Sequence, residues 1–317
     1  MSHPSAAAVA LAIAASLISA VAAQQRPTFQ SETRLVVLHA TVKNTRGELV
    51  IGLDRSAFTV YENGKLQPIS LFRRDDIPVS LGILIDNSGS MRPRRSQVEA
   101  AALTFARASN PQDEIFVLNF GDKPRIDVPL TSDLRVLEAG IGRVDAIGGT
   151  AMRDAIAAGE VYLNAHAARD RKVLVVITDG NDNASLVALD RITRDAEQRE
   201  ITIYAIGLLN DEDPAEARRA RHELRQLTDE TGGAAYYPQA VDDLAHLVLD
   251  LARQIRNQYT IAYRPLNQTL DGSYRRLHIV VKGAERLSVR TRAGYRATPE
   301  REVTRTNQIP QPIGGDR

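Results

Sequence analysis

Five side chains in three short segments carry the chemistry this sequence offers. They are Asp86, Ser88 and Ser90 in Asp86-Asn87-Ser88-Gly89-Ser90, Thr150 in Gly148-Gly149-Thr150, and Asp179 in Asp179-Gly180. All are oxygen donors, carboxylates or hydroxyls. Hard oxygens suit Mg²⁺, which prefers octahedral geometry and keeps several waters; Mn²⁺ and Ca²⁺ are the substitutes. A pair of carboxylates roughly neutralises a divalent ion. If they act partly through water, the direct ligands are neutral hydroxyls, and the ion stays electrophilic toward an incoming oxygen. The carboxylate of a partner protein is the natural occupant of an open position on such an ion. The chemistry therefore points to capture of a protein that presents an acidic residue, with no catalytic residue and no organic cofactor. Against this stands a plainer reading, because Asp, Ser and Thr routinely cap helices and turns. Thr150 would make a sound cap for a helix starting near Ala151, but capping does not explain why all the positions coincide.

The segments need elements that bring them together. Val79-Ser80-Leu81-Gly82-Ile83-Leu84-Ile85 is a nearly continuous apolar run directly before Asp86, as expected for a strand covered on both faces. Val173–Ile177, just before Asp179, is a second run; Ile115–Phe120 and Ile201–Ile206 fit the same class. Between them lie helical spacings, Val98, Ala101, Ala102 and Phe105 in one stretch and Leu244, Leu247, Val248, Leu251 and Ile255 in another. Strand-helix alternation of this kind predicts an α/β fold with a doubly wound, mostly parallel sheet over residues 78–256. In such a sheet the loops at the carboxyl ends of the strands converge on one crevice, so residues far apart in sequence can meet there.

The flanks have another period. Val36, Leu38, Ala40 and Val42 alternate with His39, Thr41 and Lys43, as in a half-buried strand. Asn63-Gly64 signals a type I′ hairpin between Phe58–Tyr61 and Ile69–Leu71. Tyr259–Tyr263, Leu277–Val281 and Leu287–Val289 also read as strands. Neither flank has enough strands to bury a core. The economical solution is one small β-sandwich built from residues 28–77 and 257–297, with the α/β domain inserted between them.

Residues 1–23 read as a signal peptide: Ala6 to Ala23 is apolar and uncharged, and small residues precede Gln24-Gln25. The leader lacks Lys or Arg, so cleavage and retention as an anchor both stay open. Either way the chain is expected to be exported, to the periplasm or the cell exterior, with no transmembrane segment in its mature part. Residues 298–317 are polar, contain proline and lack periodicity, which reads as a disordered tail. The sequence leaves the oligomeric state unknown.

Composition excludes several classes. The 317 residues contain no cysteine, which removes disulfides, thiolate metal sites and a cysteine nucleophile. With 40 basic and 39 acidic residues the net charge is +1, so no nucleic-acid partner is expected. Arg92, Arg94 and Arg95 follow the Asp86–Ser90 loop and read equally well as a basic rim that steers an acidic partner or as a solvated helix start. Asp182 and Asp154 read first as caps of helix starts or turns and second as residues behind the metal ligands.

Asp86-x-Ser88-x-Ser90, followed by Thr150 and then Asp179-Gly180, resembles the metal-ion-dependent adhesion-site motif of von Willebrand factor type A domains. Ser90-Met91, Gly149-Thr150-Ala151 and Thr178-Asp179-Gly180 match common surroundings of that motif. The resemblance implies direct ligation by Ser88 and Ser90, ligation by Thr150 directly or through water, and Asp86 and Asp179 acting largely through water. Leu53-Asp54 with Phe58–Lys65, and at the other end Tyr259–Tyr263 with Arg290–Arg296, are similar to the bacterial exported "VWFA-related" family, over roughly residues 32–297.

Rival readings come from the same sheet type. A nucleotide site would want a glycine-rich turn after the first strand, and a GxGxxG or GxxxxGK[ST] motif is absent. A Mg²⁺-dependent phosphatase or phosphotransferase could use an aspartate at that point, but it would want a second carboxylate where Ser88 stands and a lysine nearby. A structural scaffold with a non-functional metal site is the remaining alternative.

Overall fold

The computed structural model describes residues 35–142, 148–180, 182–210, 212–283 and 285–298. The expected leader at 1–23 and nearly all of the expected tail at 298–317 lie outside these residues. The N-terminal flank forms β1 (Val36–Lys43), β2 (Phe58–Glu62), β3 (Lys65–Gln67) and β4 (Ile69–Arg73). The middle begins with β5 (Val79–Asp86), α1 (Arg95–Ala108), β6 (Glu114–Phe120), β7 (Pro124–Thr131), α2 (Leu134–Ile141) and α3 (Met152–His166). It continues with β8 (Arg171–Thr178), α4 (Leu189–Gln198), β9 (Ile201–Gly207), α5 (Pro214–Thr231), β10 (Ala235–Tyr236) and α6 (Leu244–Arg256). The C-terminal flank adds β11 (Tyr259–Tyr263), β12 (Tyr274–Val281), β13 (Ser288–Arg290) and β14 (Gly294–Arg296).

The middle is a six-stranded sheet in the order β10-β9-β8-β5-β6-β7, parallel except for β7. Its central strand β5 is buried at every position, which is why its sequence is an unbroken apolar run. Alternate strand residues serve separate cores on the two faces. Leu81, Ile83, Val117, Val173 and Val175 pack with Val98 and Phe105 of α1 and Val248 and Leu251 of α6. Leu84, Phe116, Leu118, Leu174 and Val176 pack with Ile156 and Leu163 of α3, Ile192 of α4 and Leu224 of α5. No clean period in the sequence announces β7. That strand carries Pro124, Pro129 and several exposed positions, and an antiparallel edge is where a sheet tolerates proline.

The flanks combine. One four-stranded sheet runs β13-β1-β11-β4 and another β14-β12-β2-β3, so each draws strands from both ends of the chain. Val36, Leu38, Ala40 and Val42 of β1 face Phe58, Val60, Tyr259, Ile261, Leu277 and Ile279 in a third core. Asn63 and Gly64 both have positive φ, 48° and 78°, as a type I′ turn requires. The hairpin differs from expectation in its second arm: the turn joins β2 to β3, and Ile69–Arg73 pairs with β11 in the other sheet. Pro68 lies between β3 and β4; it has no N–H for a ladder, and there the chain passes from one sheet to the other. Among the described residues no helix is long and apolar enough to cross a membrane.

Candidate metal centre

The site is built from the ends of β5 and β8, which are neighbours in parallel register with Ile85 opposite Ile177. The register sets Asp86 beside Thr178, whose hydroxyl donates to Asp86 Oδ2 at 2.6 Å. The other oxygen, Oδ1, accepts the Ser88 backbone N–H at 2.8 Å, a local turn that folds the loop back over the strand end. Burial pushes the Asp86 carboxyl up to about 6, against the lowering effect of the Thr178 and Ser88 hydrogen bonds.

From Ser88 the chain enters a short 3-10 turn, Gly89–Arg94, that runs into α1. The Ser88 and Ser90 hydroxyls lie 3.1 Å apart, and Ser90 Oγ donates to Asp179 Oδ1 at 3.0 Å. Asp179 follows β8 directly; its side chain is fully enclosed, and burial raises its carboxyl above the usual range. Asp86, Ser88 and Asp179 are buried, whereas Ser90 is exposed and marks the mouth of the crevice.

The Thr150 loop reaches the same place through its backbone. Gly89 N–H donates to Gly148 O at 3.2 Å, which joins the two loops. Gly148 sits at φ +90°, and a Cβ there would meet the Asp122 carboxylate at 2.4 Å, so the position requires glycine. Asp122 in turn accepts the Gly149 N–H at 2.7 Å. Thr150 is buried, its N–H donates to Asn183 Oδ1 at 2.9 Å, and its carbonyl accepts from Asn183 and Ala184. Among the described residues its hydroxyl makes none of the hydrogen bonds that tie Asp86, Ser88, Ser90 and Asp179 together. The structure thus links those residues side chain to side chain, or through the Ser88 N–H, and brings Thr150 in on an adjoining loop.

The capping alternative does not describe this arrangement. The N-cap position of α3 is Ala151, one residue after Thr150, and Ser88 makes no side-chain cap bond to its 3-10 turn. Asp182 caps instead, accepting the Arg153 N–H at 2.7 Å. Asp154 accepts the N–H groups of Leu186 and Val187, strapping that loop to the start of α3.

Sequence reasoning missed several residues. Thr178 acts only because β5 and β8 are adjacent. Asp122 follows β6 at the same end of the sheet. Arg94 is neither rim nor solvated helix start: its Nη1 donates to Asp179 Oδ2 at 2.8 Å, and its side chain is only 14% exposed. The sequence offered no signal that aims it, since Ser90 and Arg94 lie in a 3-10 turn, where residues four apart do not share a face. Arg95 points elsewhere and pairs with Glu99 at 2.6 Å.

The donor set fits a divalent cation on chemical grounds. Buried carboxylates and hydroxyl oxygens converge at one mouth, and the cluster already draws a positive side chain onto Asp179. Among the described residues no group of three or more His, Asp and Glu could hold a metal. A site of carboxylates and hydroxyls is of a different kind and would depend on waters for its remaining positions.

A family model described as the von Willebrand factor type A domain matches residues 81–181. Among solved structures, the chain is similar to a von Willebrand factor type A protein from Catenulispora acidiphila, at 17% identity and TM-score 0.51, over 85% of this chain and 75% of that one. It is also similar to proximal thread matrix protein 1 from the mussel byssus, described with a zinc occupied MIDAS motif, at 16% identity and TM-score 0.50, over 61% and 49% of the two chains. An aerotolerance-related membrane protein from Bacteroides fragilis matches at 16% identity and TM-score 0.46, over 56% of this chain and 99% of that one. At these identities the likeness is one of fold. A search of curated proteins finds no match.

Proposed function

This chain carries a von Willebrand factor type A domain, and we propose that it is an exported module that captures a partner protein's carboxylate through a divalent ion. Ser88 and Ser90 would hold the ion directly, Thr150 directly or through water, and Asp86 and Asp179 largely through water. Mg²⁺ suits this donor set best, with Mn²⁺ and Ca²⁺ as substitutes. The zinc described in the mussel protein is consistent with a divalent ion in a site of this type.

The observation that carries the reading is the hydrogen-bonded chain Ser88–Ser90–Asp179, with Asp86 anchoring its base. Hydroxyls as the direct ligands leave an ion electrophilic, and Ser90 alone of the three is exposed, at the mouth where a partner would arrive. Both Asp86 oxygens already accept hydrogen bonds, which suits a residue that orients ligands better than it suits a nucleophile. Export rests on the apolar, uncharged stretch Ala6 to Ala23.

The test is calorimetric titration of the metal-stripped chain with Mg²⁺ and Mn²⁺. Saturable binding to one site, lost in Asp86→Ala and weakened in Ser88→Ala, is the expected result. Binding unaffected by both substitutions, or no binding at all, would overturn the reading.

A further inference from the structure

We infer that Arg94 is a built-in competitor for the ion: its guanidinium holds Asp179 in the metal-free protein and must leave the carboxylate for the ion to be seated. The inference rests on the metal-binding reading above and deepens it. It begins from the hydrogen bonds made by Asp179. Oδ1 accepts from the Ser90 hydroxyl at 3.0 Å and Oδ2 from Arg94 Nη1 at 2.8 Å, so each oxygen of this enclosed carboxylate has a donor. Asp86 is likewise engaged on both oxygens, by the Ser88 N–H and the Thr178 hydroxyl. All four carboxylate oxygens thus accept hydrogen bonds, and a guanidinium is the counter-charge to Asp179.

The two sets of donors differ in what an incoming ion must do to them. A serine hydroxyl can turn its hydrogen away and offer a lone pair without moving its oxygen. A guanidinium has donors only and is always charged, so it cannot become a ligand or shed its proton. An ion sharing this buried pocket with Arg94 would meet a fixed like charge across low-dielectric surroundings. With Arg94 displaced, the ion's two charges are matched by Asp86 and Asp179; with Arg94 retained, the cluster carries an excess positive charge. Displacement is feasible because Arg94 lies in a short 3-10 turn at the crevice edge, while the carboxylates are fixed to strand ends. The same turn carries Ser90, so seating the ion and releasing the arginine act on one segment.

The experiment titrates Mn²⁺ into the metal-stripped full chain, reading bound ion by calorimetry and free ion by paramagnetic resonance. Wild type, Arg94→Gln, Arg94→Lys and Asp86→Ala are compared, with folding checked by thermal melting. Arg94→Gln is expected to bind Mn²⁺ at least about tenfold more tightly than wild type, as for two ligands coupled negatively at one site. Arg94→Lys retains a charge but loses the fork, and it should fall between them. In wild type, guanidinium chloride should not compete beyond the effect of equal NaCl; in Arg94→Gln it should. Equal or weaker binding by Arg94→Gln would overturn the inference, and if that binding is still lost in Asp86→Ala, the metal-site reading stands without it. Binding by none of the four proteins would overturn both.

Discussion

Two buried acidic sites in this molecule are satisfied in opposite ways. In the β-sandwich, Glu62 ends β2, and its Oε2 accepts from the Tyr263 hydroxyl at 2.7 Å and the Tyr295 hydroxyl at 2.8 Å. In the crevice, Asp179 is held by a serine hydroxyl and a guanidinium from a 3-10 turn. The tyrosines stand on β11 and β14, in different sheets, so the glutamate clamps the two layers of the sandwich together. Their hydroxyls are neutral donors fixed by packed rings, and burial followed by the Glu62 hydrogen bond pushes the Tyr263 hydroxyl up, away from ionisation. Two neutral donors share one oxygen of this carboxylate. The crevice carboxylates instead lie under loops, with the exposed Ser90 above them and a guanidinium as counter-ion to Asp179. A buried acid bound by rigid neutral donors serves architecture; one bound by exchangeable donors at a mouth is available for an ion.

The contrast breaks or holds most visibly in metal affinity. Asp86→Ala should weaken Mn²⁺ binding by about ten- to a hundredfold, while Glu62→Ala leaves it unchanged. A calorimetric titration in which Glu62→Ala also loses the ion would show that the two sites are not separate. Stability reverses the ranking. Glu62→Ala strands two buried tyrosine hydroxyls and should cost about 3 kcal/mol in urea unfolding.

The pH dependence of the metal-free chain sharpens the comparison further. Because burial raises Asp86 from 3.8 to about 6, the folded state holds that proton more tightly than the unfolded chain. Asp86 should therefore contribute about 3 kcal/mol of stability at low pH that is lost as pH rises through that window. Asp86→Asn should make the profile of urea midpoints shallower between those pH values, the other raised carboxyls such as Asp179 and Glu160 keeping part of the slope; an unchanged profile would count against a raised Asp86 carboxyl. The smallest effect is expected from Tyr263→Phe and Tyr295→Phe, each about 1 kcal/mol, because Glu62 keeps one donor in either variant. Because the double variant leaves the buried Glu62 oxygen with neither donor, it should cost more than the sum of the singles; strict additivity would show that the tyrosines do not share one acceptor.

Much of the site was legible because its donors are local to recognisable elements. Asp86 and Asp179 each close a buried apolar run, and Thr150 follows a Gly-Gly pair whose first member takes positive φ. The alternation of β1 and the Asn63-Gly64 turn were equally plain. Legibility failed where the partner is distant or the pattern mixed. β7 has no clean period, and Pro68 divides what looked like one hairpin arm into strands of different sheets. Arg94 could be placed on a helical turn but not aimed, since its partner lies 85 residues away on β8's loop.

The fold class, the loops that meet and the kind of donor each loop brings can be read along the chain alone. These follow from period, turn chemistry and side-chain type, all of them short-range. Which atoms face each other is fixed by the folded chain: Thr178 on Asp86, Asp122 beneath Gly148, Arg94 on Asp179 and both tyrosines on Glu62. Those pairings depend on strand order and register, and a shift of one residue would turn every side chain to the opposite face.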